Sequence, residues 1–281
     1  MIRLLFFYAC FFGGIICYLL GFNGMLDDKI PLKVEELNRI GDKVETFNLV
    51  WADEFEMDGA PDKTKWGFNI GNGSNGWGNN ESQYYTDRLD NAKIDNGHLV
   101  ITAKKEAINN FDYSSARMLT KDKFEFTHGK IEIRAKLPNG GGTWPAFWLL
   151  GANVDEVGWP KCGEIDIMEH VGNNLNTVQS AIHTPSSFGN TSNLGGQNID
   201  NVSGEFHIYT LEWTNEELIF AVDNNVHYTY NPSEINDKTW PFNEDMFIIL
   251  NIAMGGNLGG KIDPEFKEAK MLIDYVRVYQ K

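Results

Sequence analysis

Cysteine is scarce: there are three in 281 residues, and two of them, Cys10 and Cys17, lie in the apolar opening of the chain. Beyond that opening only Cys162 remains, so no internal disulfide can form there and stability must come from a buried core. Cys162 has no second cysteine or partnered histidine beside it, which makes it a packed thiol rather than a nucleophile or metal ligand. Basic charge is also in deficit, with 24 lysines and arginines against 39 aspartates and glutamates and a formal net charge of −15. Such a field repels phosphate backbones and anionic surfaces, so nucleic acid is excluded as a partner and neutral sugars are favoured over sulphated ones. No long run carries a helical period, and no repeat of solenoid or propeller length occurs. The glycine clusters Gly71 to Gly78, Gly140 to Gly142 and Gly255 to Gly260 do not link a strand to a helix start followed by Lys-Ser or Lys-Thr. They are therefore turns, not phosphate cradles.

The longest apolar stretch stands at the N-terminus. Arg3 precedes an uncharged segment from Leu4 to Phe22, and the first acids are Asp27 and Asp28. The segment is long enough to cross a bilayer and also has the layout of an export signal. Residues 1–24 are expected to be a signal peptide or membrane anchor, which places the protein outside the cytoplasm as a secreted or surface-anchored chain, extracellular or periplasmic. Residues 25–45 read as a polar linker. Residues 46–281 read as one catalytic domain, expected to act as a monomer.

Within that domain, short stretches rich in Val, Ile, Phe, Tyr and Trp recur between turn clusters: His98 to Lys105, Gly129 to Leu137, Phe206 to Trp213, Leu218 to Asp223, Phe247 to Ala253 and Met271 to Tyr279. From Lys130 to Lys136 charged and apolar residues largely alternate, the period of a sheet with one wet face. The expected fold is all-β: an antiparallel β-sandwich of jelly-roll topology with an open, concave substrate cleft.

The chemistry concentrates in Gly163-Glu164-Ile165-Asp166-Ile167-Met168-Glu169-His170. In a strand Glu164 and Asp166 share a face, but Glu169, three residues on, falls on the other. One extra residue at Ile167-Met168, a β-bulge, restores Glu169 to the face of the other two. Crowded carboxylates destabilise a fold and raise one another's pKa, which is costly for structure and useful for acid–base work. Two glutamates leaning together to about 5–5.5 Å suit a retaining glycosidase, one as nucleophile and one as acid/base, with Asp166 sharing a proton. Which glutamate takes which role does not follow from spacing. A metal held by the same acids is the competing reading, disfavoured because His170 points away from the Glu169 face. Trp144 and Trp148, four apart just ahead of this strand, offer flat apolar surface for sugar rings or bulk for the core.

The run Glu164 to Glu169 resembles the Glu-x-Asp-x-x-Glu signature of glycoside hydrolase family 16 in its bulge-bearing form. The resemblance extends through Leu49 to Phe55, Gln83 to Arg88, Thr143 to Leu150 and Ile273 to Tyr279, and is closest to bacterial laminarinases, endo-β-1,3-glucanases. It implies net retention, Glu164 as nucleophile, Glu169 as acid/base and Asp166 as helper, with no cofactor for catalysis. It further implies that Trp144, Trp148, Asn79, Arg88, His183 and Asn257 contact a β-glucan substrate. Leu258 stands where many relatives carry tryptophan. A structural calcium on the convex face is implied as well, held by the Asp274 carboxylate and the carbonyls of Glu56 and Gly97. Competing readings are a glucan-recognition module without chemistry, whose relatives have lost catalytic glutamates, and an enzyme for mixed-linkage β-1,3-1,4-glucan, agar-type galactan or glycosyl transfer.

Overall fold

The alternating run becomes β8 (Gly129–Lys136). Ile131, Ile133 and Ala135 are buried on one face, while Lys130, Glu132, Arg134 and Lys136 stay partly exposed on the other. The computed structural model describes residues 46–281; the expected signal or anchor at 1–24 and the linker at 25–45 lie outside the described residues. Among the described residues no helix is long and apolar enough to cross a membrane.

Two sheets face each other. The first has ten strands: β1 (Asn48–Asp53), β3 (Gln83–Tyr85), β4 (Ala92–Asp95), β5 (His98–Ile108), β6 (Phe111–Ser115), β8, β13 (His207–Trp213), β14 (Leu218–Val222), β15 (Asn225–Tyr230) and β17 (Glu268–Gln280). They run in the order β15-β14-β13-β8-β17-β5-β6-β3, with β1 also pairing β17 and β4 also pairing β5. The second has seven: β2 (Gly67–Phe68), β7 (Arg117–Leu119), β9 (Thr143–Gly151), β10 (Glu164–His170), β11 (Thr177–His183), β12 (Leu194–Asn198) and β16 (Met246–Met254), ordered β12-β11-β10-β9-β16-β7-β2. Pairing is antiparallel except between β3 and β6. This is the expected all-β sandwich: β9 to β12 and β13 to β15 lie in sequence order, while β8, β16 and β17 bring sequence-distant strands together.

Side chains from both inner faces meet in one core, in which Phe147, Ile165, Met168, Tyr209, Leu211, Ile248 and Val276 are fully or almost fully buried. Burying each large apolar side chain contributes about 1.5–3 kcal/mol. Cys162 lies in this interior as a free thiol that burial pushes up to about 11, which leaves it inert at neutral pH. Gly163, just ahead of the acidic strand, has φ +76°, and a Cβ there would sit 2.8 Å from the Phe242 ring. Both the backbone angle and the space therefore require glycine where the chain enters β10.

Candidate active site

The register of β10 contains the expected bulge. Against β9, Asp166 pairs with Trp148 and Met168 with Phe147, so two steps on β10 oppose one on β9. Against β11, Asp166 pairs with Ala181 and Glu169 with Gln179, again gaining one residue. Ile165, Ile167 and Met168 point into the core, which leaves Glu164, Asp166 and Glu169 together on the opposite, cleft-side face. A bulge leaves backbone groups without ladder partners, and here the Ser180 hydroxyl, itself on β11, donates to the Ile167 carbonyl at 2.7 Å. Behind Ser180, His227 Nε2 lies 2.9 Å from the same Oγ and Gln197 Nε2 lies 3.2 Å from His227 Nδ1. Because the serine proton goes to Ile167, His227 donates from Nε2 and accepts at Nδ1 from Gln197, so every donor in the chain points toward the bulge.

The three acids are differently held. Glu169 accepts hydrogen bonds from Trp144 Nε1 at 3.0 Å and from Gln179 Nε2 at 3.0 Å, one to each oxygen, which fixes its carboxylate plane. Burial still raises its pKa, with those two donors and His183 opposing. Burial and then Asp166 push Glu164 up to about 8. Asp166 is driven well above the usual carboxylate range by burial and by Glu169, and its Oδ2 makes no hydrogen bond. The trio therefore holds at least one proton near neutrality, and Asp166 is its natural keeper.

His183 completes the group. Its Nε2 lies 3.2 Å from Asp166 Oδ2 and 3.6 Å from Glu164 Oε1. Gly189 N–H donates to Nδ1 at 3.1 Å, so the neutral ring carries its proton on Nε2, the nitrogen nearer the acids. Glu164, Asp166 and His183 have ligand atoms within 4.8 Å of one another, the spacing a cation would need. A ring whose Nε2 is protonated has no lone pair there for a metal, so the cluster is arranged for proton handling. His170 turns inward, is buried, and burial alone pushes it down to about 4.

Trp144 and Trp148 are both partly exposed on the cleft side of β9. Trp148 Nε1 donates to Asn251 Oδ1 at 2.8 Å, Asn251 donates to the Tyr85 hydroxyl at 3.1 Å, and Tyr85 donates to Glu81 at 3.2 Å. The Arg117 guanidinium is sandwiched between the rings of Trp77, at 4.3 Å, and Trp148, at 4.7 Å. Asn79 lies beside Glu81, and its neighbour Asn80 donates to Asn257 at 2.8 Å, tying the 76–80 loop to the 256–259 turn. Leu258 of that turn borders a small hollow with Glu169, Val171, Asn174, Thr177 and Gln179. Arg88 bonds to Glu106 and to Asn91, and no bond joins it to the acids.

Sequence reading did not single out Gln179, Asn251, Arg117, Trp77 or Glu81. They come from four separate stretches of chain, and only cross-strand register brings Gln179 opposite Glu169 or Asn251 opposite Arg117. On the other face, Asp274 is the extra residue of a bulge in β17. Its Oδ2 accepts from Arg134 Nη1 at 2.6 Å, and its Oδ1 lies 3.8 Å from His98 Nε2. Arg134 thus takes one Asp274 oxygen, and a cation there would have the other, Oδ1, to bind.

Residues 79–277 match the model of the glycosyl hydrolases family 16. The chain is 41% identical over 251 residues to a β-glucanase of Rhodothermus marinus, covering 85% of this chain and 87% of that one. It is 38% identical over 227 residues to a glucan endo-1,3-β-glucosidase of Cryptopygus antarcticus, covering 75% and 82%. The crystal structure of a laminarinase from Flavobacterium sp. UMI-01 superposes with a TM-score of 0.78 at 46% identity, over 83% of this chain and 100% of that one. A bulged strand carrying three acids, on a two-sheet sandwich with these likenesses, places the chain in glycosyl hydrolase family 16.

Proposed function

We propose that this chain is a retaining endo-glycosidase that hydrolyses laminarin-type β-1,3-glucan by double displacement. One observation carries the reading: the bulge sets Glu164, Asp166 and Glu169 on one desolvated face, with Glu169 oriented by Trp144 and Gln179. The relatives' named activities, β-glucanase, glucan endo-1,3-β-glucosidase and laminarinase, support the substrate class.

In the first step, taken by the molecules in which Glu164 has released its proton, a minority below about pH 8, protonated Glu169 gives its proton to the glycosidic oxygen while ionised Glu164 attacks the anomeric carbon, forming a glycosyl ester and releasing the leaving chain. Asp166 holds the shared proton during the attack, and the Nε2 proton of His183 favours the negative form of Glu164. In the second step the Glu169 carboxylate takes a proton from water, the oxygen attacks the same carbon, and Glu164 departs as carboxylate. The two inversions restore the original configuration. No cofactor enters either step.

Trp144 and Trp148 supply apolar walls for the sugar, with Asn79, Asn257 and His183 at its edges. Arg88 acts at most through the loop that holds it. Export of residues 46–281 as a secreted or surface-anchored domain is supported by the apolar Leu4 to Phe22 segment. A calcium ion at Asp274 with the Glu56 and Gly97 carbonyls is supported by the one Asp274 oxygen left without a hydrogen bond.

The deciding experiment measures reducing ends released from laminarin, lichenan, agarose and xyloglucan, with Glu164→Ser as control. Laminarin is expected to be cut and the variant to be inactive. Release from no glucan, or equal release by the variant, overturns the reading; preferential release from lichenan reassigns it to mixed linkage.

A further inference from the structure

Two bulges on different sheets are joined by one hydrogen-bonded chain. The first is that of β10, where Ser180 of β11 stands opposite both Ile167 and Met168. The second is in β15: Phe220 of β14 pairs with Tyr228 and Ala221 with Val226, so His227 is the extra residue with no partner on β14. A bulge re-aims the side chain that it frees. Val226 beside it is exposed, whereas His227 is half-buried and reaches the other sheet, with Nε2 2.9 Å from Ser180 Oγ and Nδ1 3.2 Å from Gln197 Nε2 on β12.

The approach of β15 to the seven-stranded sheet depends on a missing side chain. Gly195 of β12 is the cross-strand partner of Ser180, and a Cβ on it would lie 2.7 Å from Tyr228 Cδ2. A bare backbone at Gly195 therefore lets Tyr228 lie against β12 and brings the neighbouring imidazole within reach of the serine. Burial lowers the pKa of His227, which keeps the ring neutral and its Nδ1 able to accept from Gln197. Ser180 is fully buried and its hydroxyl carries one proton. With His227 donating to that oxygen, the serine proton is left to the Ile167 carbonyl, 2.7 Å away. Without His227 the hydroxyl is free to rotate, and the buried carbonyl loses a donor that the strand ladder does not replace. Ile167 and Met168 are the two residues between Asp166 and Glu169. A turn of the Ile167 peptide plane therefore moves Glu169 relative to Glu164, and small misplacements of reacting groups are costly in rate.

We propose that His227 is a positioning residue for the catalytic strand: through Ser180 it holds the Ile167 carbonyl of the β10 bulge, so that an edge strand of one sheet sets the spacing of the acids on the other. The inference rests on the glucanase reading above. Both ring nitrogens of His227 are engaged by Ser180 and Gln197, so it acts on the reaction through the strand and not on the sugar.

The test is a double-mutant cycle on laminarin hydrolysis with His227→Leu, Ser180→Ala and the two combined, and with His227→Gln as the conservative variant. His227→Leu is expected to lower kcat about tenfold with KM held within about twofold. His227→Gln keeps an N–H for Ser180 and an oxygen for Gln197, and should restore most of the loss. In the Ser180→Ala background His227→Leu should take nothing further from kcat. Should His227→Leu not fold, Gln197→Leu carries the same cycle with a loss of about threefold. Hydrogen exchange reads the strand without activity: residues 164–170 should exchange faster in His227→Leu, and residues 129–136 of β8 should not. An unchanged kcat, a raised KM with kcat kept, additive losses in the double variant, or equal acceleration of both segments overturns the proposal. An unmutated chain that cuts no laminarin removes the glucanase reading instead, and the exchange rates then judge the support of the bulge by themselves.

Discussion

Replacing Glu164 by glutamine should make the protein more stable, and the gain should depend on pH. The Glu164 carboxyl moves from an ordinary value of 4.5 to about 8 because it is buried and because Asp166 adjoins it. Between those values the unfolded chain has released the proton and the folded chain retains it, so stability falls as pH rises through the window. One pH unit of displacement is about 1.4 kcal/mol, so the full effect above pH 8 would approach roughly 5 kcal/mol. The side chain keeps 18% exposure and divides its proton with Asp166, which brings the expected gain to about 2 kcal/mol. For a domain of this size that is a Tm rise of about 4–8 °C. Calorimetry of Glu164→Gln and the unmutated chain at about pH 4.5 and pH 8 measures it: near-equal Tm values at the lower pH and a clear advantage for the variant at the higher. A constant advantage, or one largest in acid, would refute the desolvated-carboxylate argument.

The remaining predictions concern how the acids are held. Gln179→Leu removes a hydrogen bond that favours ionised Glu169, so the alkaline limb of the kcat/KM profile should move to higher pH while kcat falls about tenfold; a limb that moves down contradicts the assignment. Ser180→Ala strips the Ile167 carbonyl of its donor and should cost about 1–3 kcal/mol by chemical denaturation, lowering kcat more than it changes KM. Calcium at millimolar concentration should raise Tm relative to chelator in the unmutated chain and not in Asp274→Asn. A chelator-insensitive Tm would leave Asp274 to its pairing with Arg134.

Much of this molecule is legible from residues alone because strand alternation and carboxylate spacing are local facts. Lys130 to Lys136 announces β8, and the three-residue step from Asp166 to Glu169 announces the bulge, since within a strand only an extra residue puts both acids on one face. What is not local is not legible. Gln179 becomes a partner of Glu169 only through β10–β11 register, and Asn251 and Arg117 meet only because β16 lies between β9 and β7. Arg88 shows the complementary limit: a motif position gives a residue's place along the chain, while its direction is set by Glu106 and Asn91, which pull it to themselves. His227 is an ordinary strand residue in sequence and reaches Ser180 only because a bulge in β15 aims it at the other sheet.

The central claim is a division of labour among three carboxylates on one bulged strand, and covalent trapping tests it most directly. A 2-deoxy-2-fluoro-β-laminaribiosyl donor with a good leaving group should inactivate the enzyme and leave a glycosyl ester, located by peptide mass spectrometry on Glu164. An ester on Glu169, or turnover of the donor with no ester on any residue, would contradict the account.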